Sequence, residues 1–257
     1  MNLIGRSASL QQPVAINLAA RLTPSPCDDC GARNVGMCEV LSDEELVFLS
    51  RAAQRLSLPA GKLIMEEGEA AQYFYNVNAG TVRLFKSLAD GRRQITGFAG
   101  AGHFIGLASP QVNTISAEAM EPVQLCRFSR TVLQEMMLEY PALEHKLLDV
   151  AMHELALSQQ QMLLLGRKTA LERVASFLLA WAQRQESCAS TKLPVPNFRL
   201  ALPLSRTDLA DYLGLTIETI SRSLSHLKKA GLIEIPSIHE FILVRPQALA
   251  KIAEAVT

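Results

Sequence analysis

The apolar and polar positions between residues 54 and 128 predict a domain built from β-strands. Short apolar stretches are separated there by glycines, and residues 81–85 alternate between polar and apolar side chains. Asp90-Gly91 is a favourable hairpin turn, and residues 93–98 follow it as the return strand. Many short strands at even spacing are typical of an antiparallel roll or barrel.

A stretch without glycine from about residue 130 to residue 165 predicts a long helix that ends near Gly166. Pro141 is the one proline in this stretch. Two interpretations fit its apolar pattern: an amphipathic helix packed on its own domain, or a helix paired with its twin in a homodimer. Spacings of 4, 3, 4 and 3 residues match a coiled-coil seam with one polar member, which favours the homodimer. The seam consists of Leu148, Met152, Leu155, Gln159 and Met162.

The segment from residue 205 to residue 227 predicts a helix-turn-helix. Apolar residues share one face of a first helix, and Gly214 stands where a tight turn requires a residue that adopts positive φ. Thr216 can cap the second helix, whose apolar residues again recur at helical spacing. Residues 232–235 and 241–244 then predict two strands that form a wing.

The outward positions of the second helix carry residues suited to reading DNA bases. Glu218, Ser221 and Arg222 share an exposed face near its N-terminal end, which enters the major groove in this motif. Arginine can bind guanine O6 and N7 with two hydrogen bonds, glutamate can accept one from cytosine N4, and serine is small enough to lie beside thymine. The alternative is a solvated helix in which Glu218 and Arg222 form an intrahelical ion pair. The predicted DNA-binding residues, with Arg206 and Lys228 as phosphate contacts, are Arg206, Thr216, Ile217, Glu218, Ser221, Arg222 and Lys228.

Composition limits the class of protein. The 257 residues are 49% hydrophobic and 19% charged, and the formal net charge is zero, which predicts packed domains rather than a basic tail that coats nucleic acid. No apolar run approaches the roughly 18 residues that cross a bilayer, and residues 1–26 lack the apolar core of a secretory signal. We therefore expect a cytoplasmic protein with no membrane partner. The sequence contains no P-loop, nucleophile elbow, H-E-x-x-H motif or acid pair in a shared context, so we do not expect an enzyme.

Three of the five cysteines fall within twelve residues, as Cys27, Cys30 and Cys38. Structural disulfides are improbable in a reducing cytoplasm, so the clustered thiols indicate a metal ion or a metal cluster. Four cysteines can also hold zinc, and C-x2-C is equally half of a zinc site. Cys126 alone fits a buried strand thiol, and Cys188 lies in a polar loop at residues 187–198, where a free thiol is expected.

Three stretches carry a resemblance to the Crp/Fnr family of bacterial regulators over about residues 27–250. They are residues 94–98, 162–165 and, most specifically, 212–222. The resemblance implies an α+β fold with an antiparallel β-roll of the cyclic-nucleotide-binding type, a long dimerisation helix and a C-terminal winged helix-turn-helix. The pattern Glu-x-x-Ser-Arg at residues 218–222 is similar to the Fnr branch, which reads TTGAT half-sites in an inverted repeat. By this resemblance, Glu218 and Arg222 read the G·C pair, Ser221 discriminates a thymine, and RNA polymerase is a partner.

The resemblance also separates two kinds of sensor. The cyclic-AMP branch needs a Gly-Glu pair and an Arg-Ser pair, whereas residues 102–106 read Gly-His-Phe-Ile-Gly and residues 113–117 read Asn-Thr-Ile-Ser-Ala. We therefore expect no cyclic nucleotide. The C-x2-C-x7-C pattern resembles Fnr-type regulators of alpha-proteobacteria, although it departs from the C-x2-C-x5-C of enterobacterial Fnr. The ligand set implied for a 4Fe–4S cluster is Cys27, Cys30, Cys38 and Cys126.

Together these features predict an oxygen-responsive transcription regulator that activates low-oxygen genes as a homodimer. The alternative is a regulator of the same family without a cluster, controlled by zinc, a redox thiol or another small ligand. Fnr relatives often carry an acid on the seam, and residues 157–160 lack one, so oxygen control of dimerisation is expected to be weaker or differently built. The predicted domains are residues 1–40 (tail and cysteine segment), 41–128 (β-roll), 129–166 (dimerisation helix) and 167–257 (winged helix-turn-helix).

Overall fold

The computed structural model describes residues 27, 30–109, 111–185 and 193–254. They form the α+β arrangement that the sequence predicts: a roll of antiparallel strands, a helical segment, and a C-terminal domain of helices with a small sheet. Cys188 lies outside the described residues. The elements in chain order are the 3-10 helix Gly36–Val40, α1 Asp43–Ala52, β1 Gln54–Leu58, β2 Leu63–Met65, β3 Tyr73–Ala79, β4 Val82–Ser87, β5 Arg93–Ala99, β6 Phe104–Ile105, β7 Ser116–Ala119, β8 Val123–Ser129, α2 Arg130–Glu139, α3 Pro141–Arg167, α4 Ala170–Gln185, β9 Phe198–Ala201, α5 Arg206–Leu213, α6 Ile217–Lys229, β10 Ile233–Ser237, β11 Glu240–Leu243 and α7 Pro246–Glu254.

Two four-stranded sheets form the roll, with strand orders β1-β8-β3-β6 and β2-β7-β4-β5. Their inner faces bury an apolar core that includes Val77, Val82 and Leu125. The predicted hairpin is confirmed, because β4 pairs with β5 from Val82↔Ala99 to Ser87↔Arg93 across the turn. The roll therefore supplies a rigid frame on which loops and helices are placed.

The helical segment differs from the predicted single helix over residues 129–166. It consists of α2 and α3, which meet at Tyr140. Pro141 causes the break, because proline has no backbone N–H to donate and disfavours a helical conformation in the residue before it, whereas it is well tolerated at the first position of a new helix. The helix ends close to the predicted place, since α3 continues one residue past Gly166 to Arg167 and the chain becomes extended at Lys168.

The C-terminal domain contains the predicted helix-turn-helix and wing, and two elements that the sequence patterns did not indicate. Strand β9 follows the predicted loop and pairs with β11, so the wing belongs to a three-stranded sheet of order β10-β11-β9. Helix α7 packs on the domain core through Leu249, which is fully buried. Within the described residues, no helix is both long and apolar enough to cross a membrane.

The roll and the C-terminal domain share one hydrophobic core. Phe98 of β5 packs against Trp181 of α4, with ring centroids 5.3 Å apart, and against Tyr212 of α5, at 5.2 Å. Gln94 Nε2 also donates to the Tyr212 carbonyl at 3.1 Å. These contacts hold the first helix of the helix-turn-helix on the β4–β5 hairpin, so a change in the roll can reach the DNA-reading elements.

Candidate DNA-reading surface and cysteine pocket

Local sequence fixes the first helix and the turn of the helix-turn-helix. Ser205 and Asp208 form a reciprocal cap at the start of α5: the Ser205 hydroxyl accepts from the Asp208 N–H at 3.0 Å, and the Asp208 carboxylate accepts from the Ser205 N–H at 3.0 Å. Gly214 ends α5 with φ +61° and ψ +43°, a left-handed conformation that favours glycine. The predicted role of this glycine in the turn is confirmed.

The second helix, α6, begins at Ile217 because the Thr216 hydroxyl accepts from the Thr219 N–H at 3.2 Å. Its apolar positions Ile220, Leu224 and Leu227 are at most 2% exposed. Burial of this face turns the opposite face of α6 toward solvent. We call α6 the reader helix.

The side chains predicted to read bases lie on that solvent face. Glu218, Ser221 and Arg222 are all exposed. Arg222 Nη2 donates to Thr219 Oγ1 at 3.4 Å, so this guanidinium is lightly held and its remaining donors are available to a partner. The backbone N–H of Glu218, followed by the Thr216 hydroxyl, holds the pKa of the Glu218 carboxyl below its usual range, which keeps it as an acceptor. The surface therefore offers donors and an acceptor side by side, as base readout requires.

The other residues predicted to bind DNA differ in how far their side chains are exposed. Lys228 is exposed near the C-terminal end of the reader helix, and Ile217 is 45% exposed at its start. Arg206 is partly covered, because its guanidinium lies 5.3 Å from the centre of the Phe241 ring, and burial lowers its pKa. Arg206 is therefore less accessible to a phosphate than Lys228, which is exposed.

The predicted seam is an exposed apolar stripe along α3. The described chain covers the first turns of α3 through Leu143 and Leu147, but it does not cover the stripe that follows. The last turns of α3 also pack on the chain, because Leu164 contacts the C-terminal core and Gln161 Nε2 donates to the Tyr212 carbonyl at 2.9 Å. The helix therefore packs on its own chain at both ends and leaves the stripe between them exposed. The exposed fractions are 56% for Leu148, 54% for Met152, 59% for Leu155 and 64% for Met162, and Gln159 is also exposed.

The four predicted ligand cysteines line one pocket. Cys27 and Cys30 lie in a turn, Cys38 lies in the 3-10 helix, and Cys126 lies in β8, yet all four side chains border the same cavity. Residues of α1 and β8 close its apolar side, including Leu49, Ala53 and Phe128. We call this site the cysteine pocket.

The thiols of the cysteine pocket are close enough for their charges to interact. Burial, followed by the nearby side chains of Cys27, Cys30 and Cys126, raises the pKa of the Cys38 thiol to about 12. Burial also raises the pKa of the Cys126 thiol. Several thiolates at this place would repel one another in a poorly solvated site, so they need a positively charged group between them.

Two polar side chains donate hydrogen bonds to these sulfurs. Asn78 Nδ2 lies 3.0 Å from Cys126 Sγ, and Arg55 Nη2 lies 3.9 Å from Cys27 Sγ. Such donors orient sulfur ligands and stabilise their thiolate form. Sequence patterns gave no signal for either residue, because each is far along the chain from its cysteine, by 48 and 28 positions respectively.

A bound metal ion would need several ligand side chains arranged around it. Among the described residues, no group of three or more His, Cys, Asp or Glu side chains is arranged to hold a metal ion. A single zinc ion requires four ligands about a point, with sulfurs about 2.3 Å from the metal. A 4Fe–4S cluster instead takes its four thiolates at different irons, so its ligands surround a larger body. The four thiols that border the cysteine pocket are ligands of the type that a 4Fe–4S cluster requires, and no three of them stand about one point as a bound zinc ion would require.

The cysteine segment also contacts the start of α3. Met37 and Cys38 belong to the same apolar core as Leu143 and Leu147. Lys146 Nζ lies 2.9 Å from a carboxylate oxygen of Glu39, directly after Cys38. A change in the position of the 3-10 helix therefore acts on the helix that carries the seam.

Comparison with known proteins places these features in a family. A family model for the Crp-like helix-turn-helix domain matches residues 172–252, and one for the cyclic nucleotide-binding domain matches residues 55–140. The nitrogen fixation regulation protein FixK of Bradyrhizobium diazoefficiens is 38% identical over 230 residues, which cover 89% of this chain and 94% of that protein. The chain belongs to the Crp/Fnr family.

Other members of the Crp/Fnr family agree with this assignment. The transcriptional activator protein FnrL of Cereibacter sphaeroides is 36% identical over 211 residues, which cover 81% of this chain and 84% of FnrL. The solved structure of FixK2 from Bradyrhizobium japonicum is 37% identical, with a TM-score of 0.71, and the match covers 80% of this chain and 99% of that one. These relatives are transcription regulators rather than enzymes, so the protein is a DNA-binding transcription regulator, as the sequence predicts.

The roll has the cyclic-nucleotide-binding fold. Residues of the two segments that depart from the cyclic-AMP pattern, 102–106 and 113–117, contribute to packing and hydrogen bonds within the roll. Within residues 102–106, Phe104 and Ile105 are buried strand residues. Ser116 is buried, and its hydroxyl accepts from the Glu67 N–H at 3.0 Å. That this Crp/Fnr protein binds no cyclic nucleotide stays a prediction.

Proposed function

We propose that this Crp/Fnr protein is an oxygen-responsive transcription activator that holds a 4Fe–4S cluster and binds an inverted repeat of TTGAT-type half-sites as a homodimer. The observation that carries the proposal is the cysteine pocket, since Cys27, Cys30, Cys38 and Cys126 come from three separate segments and still border one cavity. Thiols from a turn, a 3-10 helix and a strand therefore stand together although they are far apart in the sequence. A shared metal group would explain this arrangement.

The positions of the four cysteines determine which parts of the chain a bound cluster would join. A 4Fe–4S cluster supplies an oxygen-sensitive covalent connection among four thiolates. On the protein side, Cys27, Cys30 and Cys38 would tie the N-terminal segment to Cys126 on the roll. This connection would hold the 3-10 helix against Leu143 and Leu147, and so fix the start of α3. When the connection is lost, α3 loses part of its support.

The seam and the reader helix convert that support into DNA binding. Pairing of two α3 helices through the exposed stripe would present two reader helices together, and dimers of this motif read half-sites about one DNA turn apart. A monomer keeps half of the base and phosphate contacts, so its specific affinity is much lower. The relative FnrL is a transcriptional activator protein, which supports activation by this chain and, with it, a contact with RNA polymerase.

A second candidate is a regulator of the same kind with zinc in the cysteine pocket. The observation that favours it is the C-x2-C pair at Cys27 and Cys30, a common zinc half-site. Zinc would also join the segments, but it undergoes no redox change, so control by oxygen would then depend on the thiols themselves.

Metal and sulfide analysis of anaerobically purified protein tests the proposal. The cluster predicts about four irons and four sulfides per chain. Cys38→Ser should lose most of this iron, whereas the matched control Cys188→Ser should keep it, because Cys188 stands outside the ligand pattern. One zinc per chain without sulfide supports the second candidate, and protein without metal contradicts both.

A further inference from the structure

Strand β3 buries two asparagines that folding alone does not require. Asn76 is 1% exposed and Asn78 is 9% exposed, although their neighbours on the strand are apolar or aromatic. Removing a side-chain amide from water costs free energy unless the amide finds hydrogen-bond partners. Leucine would occupy similar space at these positions without that cost, so the amides need another explanation.

The two asparagines form a short chain of hydrogen bonds that ends on a cysteine. Asn76 Nδ2 donates to Asn78 Oδ1 at 3.1 Å, and Asn78 Nδ2 donates to Cys126 Sγ at 3.0 Å. Because the oxygen of Asn78 is engaged by Asn76, the NH₂ group of Asn78 is directed to the sulfur. Asn76 also lies directly opposite Cys126 in the β3–β8 ladder, and the register shifts between Val77 and Ala79, where Asn78 lies.

The position of Asn78 links it to the whole cysteine pocket. Its side chain borders the pocket together with the four thiols. Its backbone carbonyl lies against the segment after Cys30, since a Cβ added at Gly31 would stand 2.9 Å from that oxygen. Asn76 Oδ1 is buried and has no hydrogen-bond partner among the described residues. The arrangement leaves the Asn76 oxygen unpaired, which costs free energy, and it directs an N–H group of Asn78 into the cysteine pocket.

We propose that Asn78 is a positioning residue that fixes the Cys126 sulfur and sets the reduction potential and air stability of the site, with Asn76 holding its amide. This inference rests on the proposed function, because it takes Cys126 as a ligand. An N–H group directed at a ligand sulfur stabilises the more negative, reduced form of an iron–sulfur centre, so it raises the potential. Residues that orient metal ligands in this way commonly change affinity or activity by about 10- to 100-fold when they are removed.

Three variants and one control test the inference. Asn78→Leu removes the N–H donor and keeps a side chain of similar volume, whereas Asn78→Ala removes the donor and leaves a smaller side chain. Asn76→Leu keeps the Asn78 donor and removes the hydrogen bond that aligns its amide. The control is Asn113→Leu, because Asn113 is equally buried in the roll and donates to the Glu66 carbonyl at 3.1 Å, away from the cysteines. Each protein is reconstituted anaerobically with iron and sulfide. Iron content, midpoint potential, the Fe–S(Cys) stretching frequencies in resonance Raman spectra and the rate of colour loss in air are then measured, and thermal unfolding of the metal-free form checks the fold.

The expected result is a lower midpoint potential, shifted Fe–S(Cys) frequencies and a colour loss about 10-fold faster in both Asn78 variants. Asn76→Leu should show a smaller change in the same direction, and Asn113→Leu should match the wild-type potential and spectrum. Asn78 variants that fold, take up iron and match the wild type in potential and spectrum overturn the inference and leave the proposed function standing. Wild-type protein that takes up no iron overturns both.

Discussion

Arg83 on strand β4 of the roll donates to the carboxylate of Asp208, on the first helix of the helix-turn-helix, at 2.8 Å. The same guanidinium donates to Glu118 of the roll at 2.6 Å. Asp208 is nearly buried and also caps α5 through Ser205. The roll and the DNA-reading domain are therefore joined by a charge pair with little access to water. The pair lies at the start of α5, the first helix of the helix-turn-helix.

Replacement of Arg83 by methionine should lower the free energy of unfolding by about 2 kcal/mol, because Asp208 and Glu118 lose a shared cation in a poorly solvated place. Urea denaturation measures the change. Arg92→Met is the matched control, since Arg92 pairs with Asp90 on the exposed tip of the same hairpin, and it should change stability by less than about 0.5 kcal/mol. Equal effects of the two substitutions would contradict a structural role for the Arg83–Asp208 pair.

Replacement of Arg222 by alanine should weaken binding to a TTGAT-type inverted repeat by about 1 to 3 kcal/mol and reduce discrimination at the guanine position. Lys228→Ala should instead weaken binding to all DNA sequences similarly and lower the salt dependence by about one counterion. Fluorescence anisotropy at several salt concentrations separates the two patterns. An Arg222→Ala protein that still distinguishes the repeat from a scrambled sequence would exclude Arg222 as a base-reading residue.

Replacement of Leu155 by glutamate should convert the dimer to a monomer, because a charge would be placed in the middle of the apolar stripe. Sedimentation should report half the wild-type mass, and affinity for the inverted repeat should fall by roughly 100-fold. Leu138→Glu provides the control, since Leu138 is 86% exposed on α2 and lies off the seam. A Leu155→Glu protein that remains a dimer would place the interface elsewhere.

Two glycines near the junction of the domains should respond to alanine in opposite directions. Gly214→Ala should destabilise the protein by about 1 kcal/mol, because Gly214 has φ +61° and a Cβ there would stand 3.3 Å from Leu165 Cδ2. Gly166→Ala should stabilise it by about 0.5 to 1 kcal/mol, because Gly166 is helical and a Cβ there meets nothing within 4 Å. Thermal unfolding of both variants checks the signs, and a destabilised Gly166→Ala protein would contradict the assignment of Gly166 to the helix interior.

Local signals explain the parts of the fold that the sequence predicts well. Gly214 and the caps at Ser205 and Thr216 act within a few residues, so the helix-turn-helix can be read from a short segment. The seam is likewise a periodic pattern in the sequence. Its apolar side chains are exposed in the single chain, as expected of a surface that pairs with a second copy. Helix-forming residues on both sides of Pro141 predict one continuous helix, but proline restricts the backbone of Tyr140, and this restriction divides the segment into α2 and α3.

The remaining features depend on residues that are distant in the sequence. Strand β9 has four residues, and it exists because β11 offers an edge for pairing. Arg83 and Asp208 are 125 positions apart, and Asn78 and Cys126 are 48 apart. An asparagine in a short strand suggests a solvent-facing position, and only the assembled roll places it beside a thiol. The resemblance implied that the four cysteines belong together and the structure brings them to one pocket, whereas Asn78 and Arg55 carried no signal in the sequence. That the cysteines bind a cluster stays a prediction.

The most direct test of the account follows one anaerobic sample as air is admitted, while visible absorption, molecular mass and binding to the inverted repeat are recorded together. The account predicts that loss of the cluster absorption, loss of the dimer mass and loss of specific DNA binding proceed in parallel, and that Cys38→Ser protein begins in the final state. Absorption that disappears while mass and DNA binding stay constant would contradict it.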